Sequence, residues 1–136
     1  MNSIPIFVLS RQSAENTAFS IHDYVISITD PDSLVANIQG TTNILLLSFY
    51  DIDKQIKTDA RTFEPMQSDD AKQIARFVKT IPYLSRIFVH CEAGISRSAG
   101  VAAAISKFLY FDDTRFFKEY LPNKHCYNLV LEKLFE

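Results

Sequence analysis

The residues best suited to chemistry lie between Val89 and Gly100, in the sequence VHCEAGISRSAG. Cys91 follows a short apolar run, and Arg97 comes six positions later. Gly94 lies between them, where glycine allows a backbone conformation that a side chain would strain. This spacing predicts a strand, a tight loop and the first turn of a helix. Consecutive N–H groups in such a loop, together with the positive end of the helix, form a site for an anion.

The donors of this loop match a phosphate group. The Arg97 guanidinium is a planar pair of donors whose spacing suits two phosphate oxygens. We expect the backbone N–H groups to complete the phosphate site, and they belong to Glu92, Ala93, Gly94, Ile95, Ser96 and Arg97.

Cys91 lies where the same positive field would act on a thiol. A cysteine by itself is more often a buried structural residue, but the spacing to Gly94 and Arg97 favours a reactive thiolate here. A thiolate at the base of an anion site is a nucleophile aimed at phosphorus. We expect Ser98 to donate a hydrogen bond to that sulfur, and His90 to brace the loop through hydrogen bonds.

The segment HCEAGISRS resembles the His-Cys-x5-Arg-Ser/Thr signature of the cysteine-dependent protein tyrosine phosphatase superfamily. The short chain is most similar to the compact dual-specificity members and their small bacterial relatives. Phe49–Ile52 resembles the segment that carries the general-acid aspartate, and Pro122–Leu129 resembles the last helix of the bacterial members. The resemblance covers the latter two-thirds of the chain.

This resemblance implies a fold and a mechanism. The fold would be that of a phosphotyrosine phosphatase, and the reaction would be hydrolysis of a phosphomonoester. Cys91 would form a phosphocysteine, Arg97 and the backbone amides would hold the phosphoryl oxygens, and an aspartate would protonate the leaving oxygen. No metal ion or cofactor would be needed.

Three aspartates compete for the role of general acid. Asp51 directly follows a predicted strand and fits the position of the family's acid best. Asp53 comes two residues later and could face the same way. Asp59 lies 32 positions before Cys91, which is a usual separation in compact dual-specificity members. The long polar segment 50–67 leaves the choice open, with Asp51 preferred.

The loop also bears on the substrate. Phosphoinositide-directed members resemble one another in carrying lysines inside the loop, and no lysine stands between Cys91 and Arg97. Glu92 would repel a polyanion. The chain is too short for the elements that deepen the pocket of tyrosine-specific enzymes. We therefore expect a shallow site for phosphotyrosine proteins or peptides, with phosphoserine and phosphothreonine as further substrates. The alternatives are a small phosphorylated metabolite, nucleotide or nucleic-acid end, and a non-catalytic phosphate-binding module.

Two His–Cys pairs offer ligands for zinc, His90–Cys91 and His125–Cys126. Neither pair shows a C-x-x-C or H-x3-H spacing, and adjacent strand residues point to opposite faces. We therefore predict no metal site and interpret Cys126 as a core residue. An aromatic group is likewise expected in the core, or as a substrate wall if it is partly exposed: Phe111, Phe116, Phe117 and Tyr120.

The elements that must position these residues alternate along the chain. Strands are expected at 4–9, 24–28, 43–49 and 87–89, and the continuous apolar run 43–49 predicts a central strand covered on both faces. Helical turns are expected within 11–19 and 34–38, and longer helices from a cap at Ser68, over 98–110, over 114–120 and after Pro122–Asn123. The alternation predicts an α/β fold with a central, mostly parallel sheet flanked by helices, and ligands at the carboxyl ends of its strands.

The composition limits the number of domains, the partners and the compartment that can be expected. The 136 residues suit one domain, 1–136, and the formal net charge of −2 gives no electrostatic reason to expect nucleic acid or an anionic membrane as a partner. The amino terminus shows no targeting signal, and no stretch reaches the roughly 20 apolar residues of a membrane helix. Two cysteines cannot form a disulfide framework, which favours a reducing compartment. We expect a cytoplasmic protein, monomeric by default.

Overall fold

The structure is a computed structural model that describes residues 3–136. Its strands are β1 (Ile6–Leu9), β2 (Asp23–Thr29), β3 (Ile44–Ser48), β4 (Ile56–Lys57), β5 (Thr62–Phe63) and β6 (Arg86–His90). Its helices are α1 (Arg11–Glu15), α2 (Ser68–Lys79), α3 (Arg97–Tyr110), α4 (Thr114–Glu119) and α5 (Lys124–Leu134). No helix within this part of the chain is long and apolar enough to cross a membrane.

Four strands form the central sheet in the order β1-β6-β2-β3, and every pairing is parallel. The predicted α/β fold with a parallel sheet flanked by helices is confirmed. Side chains of β2 alternate between two cores, as the period of a strand requires. Ile26 and Ile28 face a large core shared with α2, α3, α4 and α5, whereas Val25 joins a small cluster with Phe19 and Phe88 on the other face.

Helix α3 packs closely because its buried face is built from small residues. Ala102, Ala103 and Ala104 are fully buried. Gly100 lies so near the start of α5 that an added Cβ would come within 2.5 Å of the Asn123 carbonyl oxygen. This close approach places the residues before α5 beside the loop that precedes α3.

The prediction of a central strand at 43–49 is wrong in its position. Strand β3 is an edge strand that pairs only with β2. Leu47 is buried in the large core, but Leu46 on the opposite face is 52% exposed. The apolar run therefore reflects burial of one face, because the helices cover only that face at this edge.

The helical turn predicted at 34–38 is also wrong. Leu34 and Val35 are exposed, and the segment is irregular. Its polar backbone groups bond elsewhere: the Asn37 N–H donates to Glu15 Oε2 at 2.9 Å. Further along, Gln39 bridges to Ala18.

The polar segment 50–67 contains more structure than its composition indicates. Strands β4 and β5 pair as a short antiparallel hairpin within it. The helix that follows begins with Ser68 as its first residue, so Gln67 takes the cap position predicted for Ser68. The Gln67 N–H donates to Asp70 Oδ2 at 2.8 Å, which satisfies a backbone group ahead of the helix.

Candidate active site

The site forms at the carboxyl edge of the sheet, where parallel strands bring their following residues together. Strand β2 is followed by Asp30, β3 by Asp51 three residues on, and β6 by Cys91. The loop 91–97 then leads into α3. The sheet order therefore groups two acids, a thiol and Arg97 at one edge.

Cys91 is buried at the base of the loop, with 3% of its surface exposed. Its Sγ accepts the Gly94 N–H at 3.3 Å and lies 3.1 Å from the Ser98 hydroxyl oxygen. Ser98 is fully buried at the start of α3. Two groups that can donate a hydrogen bond, the Gly94 N–H and the Ser98 hydroxyl, therefore lie next to the sulfur.

Gly94 is required by the shape of the loop. Its φ of +73° lies in the left-handed region, and an added Cβ would come within 2.6 Å of the Ser10 nitrogen. The Arg11 N–H donates to the Glu92 carbonyl oxygen at 3.1 Å. The corner between β1 and α1 therefore braces this half of the loop.

The Glu92 side chain is paired with a cation. Its Oε1 lies 3.2 Å from Arg11 Nη1. The pairing offsets the charge on which the expected repulsion of polyanions by Glu92 depended.

The other half of the loop is held by the connection before α5. The Ser96 carbonyl oxygen accepts the N–H groups of Gly100 and Asn123, both at 2.9 Å, and the Ile95 carbonyl oxygen accepts the Leu121 N–H at 3.2 Å. The side chains of Ala93 and Ile95 are exposed. These contacts fix the backbone of the loop while leaving its outer surface open.

Arg97 has one engaged edge and one free edge. Its side chain is almost completely buried, and Nη1 donates to Asp30 Oδ1 and to the Phe49 carbonyl oxygen, both at 2.7 Å. Its Nε is buried without a hydrogen-bond partner among residues 3–136. In a planar guanidinium Nε and Nη2 share one edge, so this edge is available to two oxygens of a ligand.

Asp51 lies across the mouth of the loop. Its Oδ1 accepts hydrogen bonds from Ser96 Oγ and from Asn123 Nδ2, both at 2.9 Å. Asp53 lines a neighbouring cleft that Ser96 also lines. Asp59 lies in the exposed turn between β4 and β5. Of the three candidate acids, Asp51 is the one that is hydrogen-bonded to the loop.

A cleft of about 400 Å³ opens beside Arg97. Both Asp30 and Asp51 line it. Its apolar walls come from the segment after β3, through Tyr50 and Ile52, and from the β4–β5 hairpin, through Ile56 and Phe63. The Tyr50 and Phe63 rings meet edge to face with centroids 4.9 Å apart. The cleft thus joins an anion site to an aromatic wall.

The aromatic group of the carboxyl-terminal third does not line this cleft. Phe116 is buried in the core, as expected, but Phe111 is 76% exposed at the end of α3, where its φ is +59°. Phe117 is partly exposed and packs edge to face on Tyr127. The wall comes instead from the polar segment 50–67, whose hairpin the composition did not indicate.

His90 braces the loop from inside the sheet. Its Nε2 lies 2.6 Å from Ser27 Oγ and its Nδ1 lies 3.1 Å from the Cys91 carbonyl oxygen. Since a carbonyl only accepts, we assign the proton to Nδ1, and Nε2 then accepts from the Ser27 hydroxyl. Burial lowers the pKa of His90, which favours this neutral form.

The second cysteine has a different environment. Cys126 is fully buried in α5. Burial raises the pKa of its thiol far above the usual range, so it is a protonated core residue. Residues 3–136 contain no group of three or more His, Cys, Asp or Glu side chains placed to hold a metal ion.

Asp30 is a residue of the site that the sequence analysis does not identify. The signal was available, because Asp30 directly follows an apolar strand just as Cys91 does. Applying the carboxyl-edge rule to that strand would have placed it at the site.

Fold and site together define an α/β protein in which a loop with a buried thiol and a buried arginine lies at the carboxyl edge of a parallel sheet. No protein-family model matches the chain, and comparison with curated proteins gives no match. Its function must therefore be argued from its own residues.

Proposed function

We propose that this protein is a metal-independent phosphomonoester hydrolase that acts on phosphotyrosine in proteins, and also on phosphoserine or phosphothreonine, through a phosphocysteine. The observation that carries this proposal is the free Nε of Arg97, buried in the same loop as Cys91. Buried donors are nearly always paired. An unpaired N–H donor on the edge of the Arg97 cation therefore favours an anionic ligand at this position, next to the Cys91 thiol.

In the first step the Cys91 sulfur attacks phosphorus as the thiolate. The S–P bond forms while the bond from phosphorus to the leaving oxygen breaks. Asp51 enters protonated and gives its proton to that oxygen, so the product leaves as an alcohol or phenol. Arg97 and the loop N–H groups hold the three remaining oxygens, where charge is spread in the transition state.

In the second step Asp51, now a carboxylate, takes a proton from water as the water oxygen attacks phosphorus. The S–P bond breaks, and inorganic phosphate leaves. Ser98, whose Oγ lies 3.1 Å from Sγ, donates a hydrogen bond to the departing thiolate. Asp51 ends protonated and Cys91 ends as a thiolate, which restores the starting state.

The cleft walls support an aryl phosphate. Tyr50 and Phe63 offer aromatic surface next to Arg97, and a phosphotyrosine ring would pack against it. Arg97 is the one cationic residue among the described residues that line the cleft, so the cleft offers no second cation to a substrate with several phosphates. The same chemistry on a small phosphorylated metabolite, nucleotide or nucleic-acid end is the alternative, since a cleft of about 400 Å³ also suits a small molecule.

Replacement of the nucleophile tests the mechanism. Cys91→Ser should lower kcat for an aryl phosphate by at least about 10³-fold, because a serine hydroxyl lacks the thiolate's reactivity. It should still bind phosphate or vanadate in calorimetry. Cys126→Ser is the matched control and should keep its turnover. Turnover by Cys91→Ser close to that of the wild type would contradict the assignment.

A substrate panel tests the specificity. Phosphopeptides, inositol phosphates and nucleotides would be compared by phosphate release with a chelator present. We expect the highest kcat/KM for phosphotyrosine peptides. Loss of activity with the chelator would contradict the metal-independent mechanism, and preference for a nucleotide or metabolite would favour the alternative substrate.

A further inference from the structure

The Arg97–Asp30 ion pair has no part in the steps derived above. Nη1 and Asp30 Oδ1 are 2.7 Å apart, and the arginine side chain is 6% exposed against 34% for the aspartate. Asp30 also lines the cleft. A carboxylate this close to the phosphate-binding arginine either competes with phosphate or orients the arginine.

The geometry separates these two roles. Competition requires the carboxylate to occupy the donors that phosphate would use. Asp30 instead bonds to Nη1, and the Phe49 carbonyl oxygen bonds to the same nitrogen at 2.7 Å. The Nε edge stays free, so phosphate can bind without displacing Asp30.

Two acceptors on one nitrogen define the plane of the guanidinium. One acceptor follows β2 and the other follows β3, so both are fixed by the sheet. With Nη1 held at two points, rotation about the last side-chain bonds of Arg97 would break at least one short hydrogen bond. The Nε and Nη2 edge of Arg97 therefore has a fixed orientation before a ligand binds, as preorganised catalysis requires.

We infer that Asp30 is a positioning residue, which holds Arg97 so that its Nε and Nη2 edge faces the phosphoryl oxygens. This inference rests on the proposed function. Asp30 acts through the arginine and does not itself touch the reacting atoms. Its hydrogen-bonding oxygen matters more than its charge.

Two substitutions at one position test this. Asp30→Asn keeps an oxygen that can accept from Nη1, whereas Asp30→Ala removes it. We expect Asp30→Ala to lower kcat/KM for an aryl phosphate by about 100-fold, the scale of a misplaced group in an active site. Asp30→Asn should stay within about tenfold of the wild type, because a neutral hydrogen bond replaces a charged one.

Vanadate affinity and thermal stability complete the experiment. Vanadate binding, measured by calorimetry, should weaken in Asp30→Ala and be largely restored in Asp30→Asn. Asp69→Ala is the control, because it removes an exposed carboxylate whose contact is with Gln73 on α2. If Asp30→Ala does not fold, Asp30→Leu replaces it, since leucine is close to asparagine in shape and has no acceptor.

The outcomes separate this inference from the proposed function. If the wild-type protein is active and Asp30→Ala keeps the same kcat/KM and the same vanadate affinity, the positioning role of Asp30 is overturned and the hydrolase proposal is not. Equal losses in Asp30→Ala and Asp30→Asn would also overturn it, because charge would then be the determining property. A wild type without turnover that binds vanadate would overturn the hydrolase, and the vanadate affinities of the variants would still decide the role of Asp30. A wild-type protein that neither hydrolyses the aryl phosphate nor binds vanadate would overturn both the proposed hydrolase and the role of Asp30.

Discussion

At the scale of single residues, the two carboxylate oxygens of Asp51 have different environments. Both of its protein hydrogen bonds, from Ser96 and Asn123, fall on Oδ1. Within residues 3–136, no side chain or backbone group bonds to Oδ2. The bonded oxygen fixes the carboxyl group over the loop, and Oδ2 is the oxygen that can face a substrate under the proposed mechanism.

Replacement of Asp51 should therefore remove the general acid. Asp51→Asn should lower kcat for a substrate with a poor leaving group by about 10²- to 10⁴-fold, with a smaller loss for a good leaving group. Steady-state kinetics on two aryl phosphates, one with a poor and one with a good leaving group, measures both losses.

The other two aspartates provide the controls for this prediction. Asp53→Asn and Asp59→Asn should keep activity on the same poor leaving group, since Asp53 lines a neighbouring cleft and Asp59 lies in an exposed turn. Full activity of Asp51→Asn, or an equal loss in either control, would assign the acid elsewhere.

At the scale of elements, the loop 91–97 is shaped by the chain segments around it. The β1–α1 corner contacts it at Gly94, and the segment before α5 bonds to the carbonyl oxygens of Ile95 and Ser96. Among the described residues, no N–H group of Glu92, Ala93, Ile95 or Ser96 donates a backbone hydrogen bond to these supports. The shape of the anion site is therefore set by packing around the loop as well as by its own sequence.

A methyl group at Gly94 should disrupt this arrangement. Gly94→Ala must place a Cβ within 2.6 Å of backbone atoms and keep a left-handed φ. We expect a loss of about 1–3 kcal/mol in the free energy of unfolding and a kcat/KM about 100-fold lower, because displaced N–H groups no longer reach the oxyanion.

Gly40→Ala is the matched control. Gly40 has a φ of +100° and is more crowded still, with an added Cβ overlapping the Phe19 carbonyl oxygen, but it precedes β3 at the opposite, amino-terminal edge of the sheet. It should lose stability while its folded fraction binds vanadate with wild-type affinity. If Gly94→Ala behaves in the same way, the loop does not depend on this glycine.

At the scale of the whole molecule, the sheet buries a titratable residue next to Cys91. His90 is fully buried between Ser27 and the Cys91 backbone, and burial lowers its pKa below the ordinary 6.5. Below pH 6.5 the His90 side chain therefore binds a proton in the unfolded chain, whereas in the folded chain it stays neutral until the pH reaches its lower folded pKa. The stabilisation from neutral His90 is complete above pH 6.5 and is lost as the pH falls towards its folded pKa.

The free energy of unfolding should thus decline below pH 6.5, by up to about 1.4 kcal/mol per pH unit from this group. Urea denaturation between pH 5 and 7.5 measures the decline. His90→Gln should flatten it, because glutamine does not titrate, whereas His22→Gln should retain it, since His22 is exposed. An unchanged slope in His90→Gln would show that other groups cause it.

The sequence by itself determined the local parts of this protein. Cys91, Gly94, Arg97 and Ser98 are contiguous, so a strand, a loop and a helix start place them without help from distant residues. The alternation of strands and helices likewise predicted the α/β fold, because a helix between two strands favours parallel pairing. The position of Asp51 after its strand followed from the same local pattern.

Only the tertiary structure decided what depends on distant contacts. It made β3 an edge strand, left 34–38 without a helix and paired Asp30 with Arg97 across 67 positions. Hydrophobic runs record that a face is buried but not which strand lies beside it. An ion pair likewise leaves no pattern in the sequence when its partners meet through the strand order of a sheet.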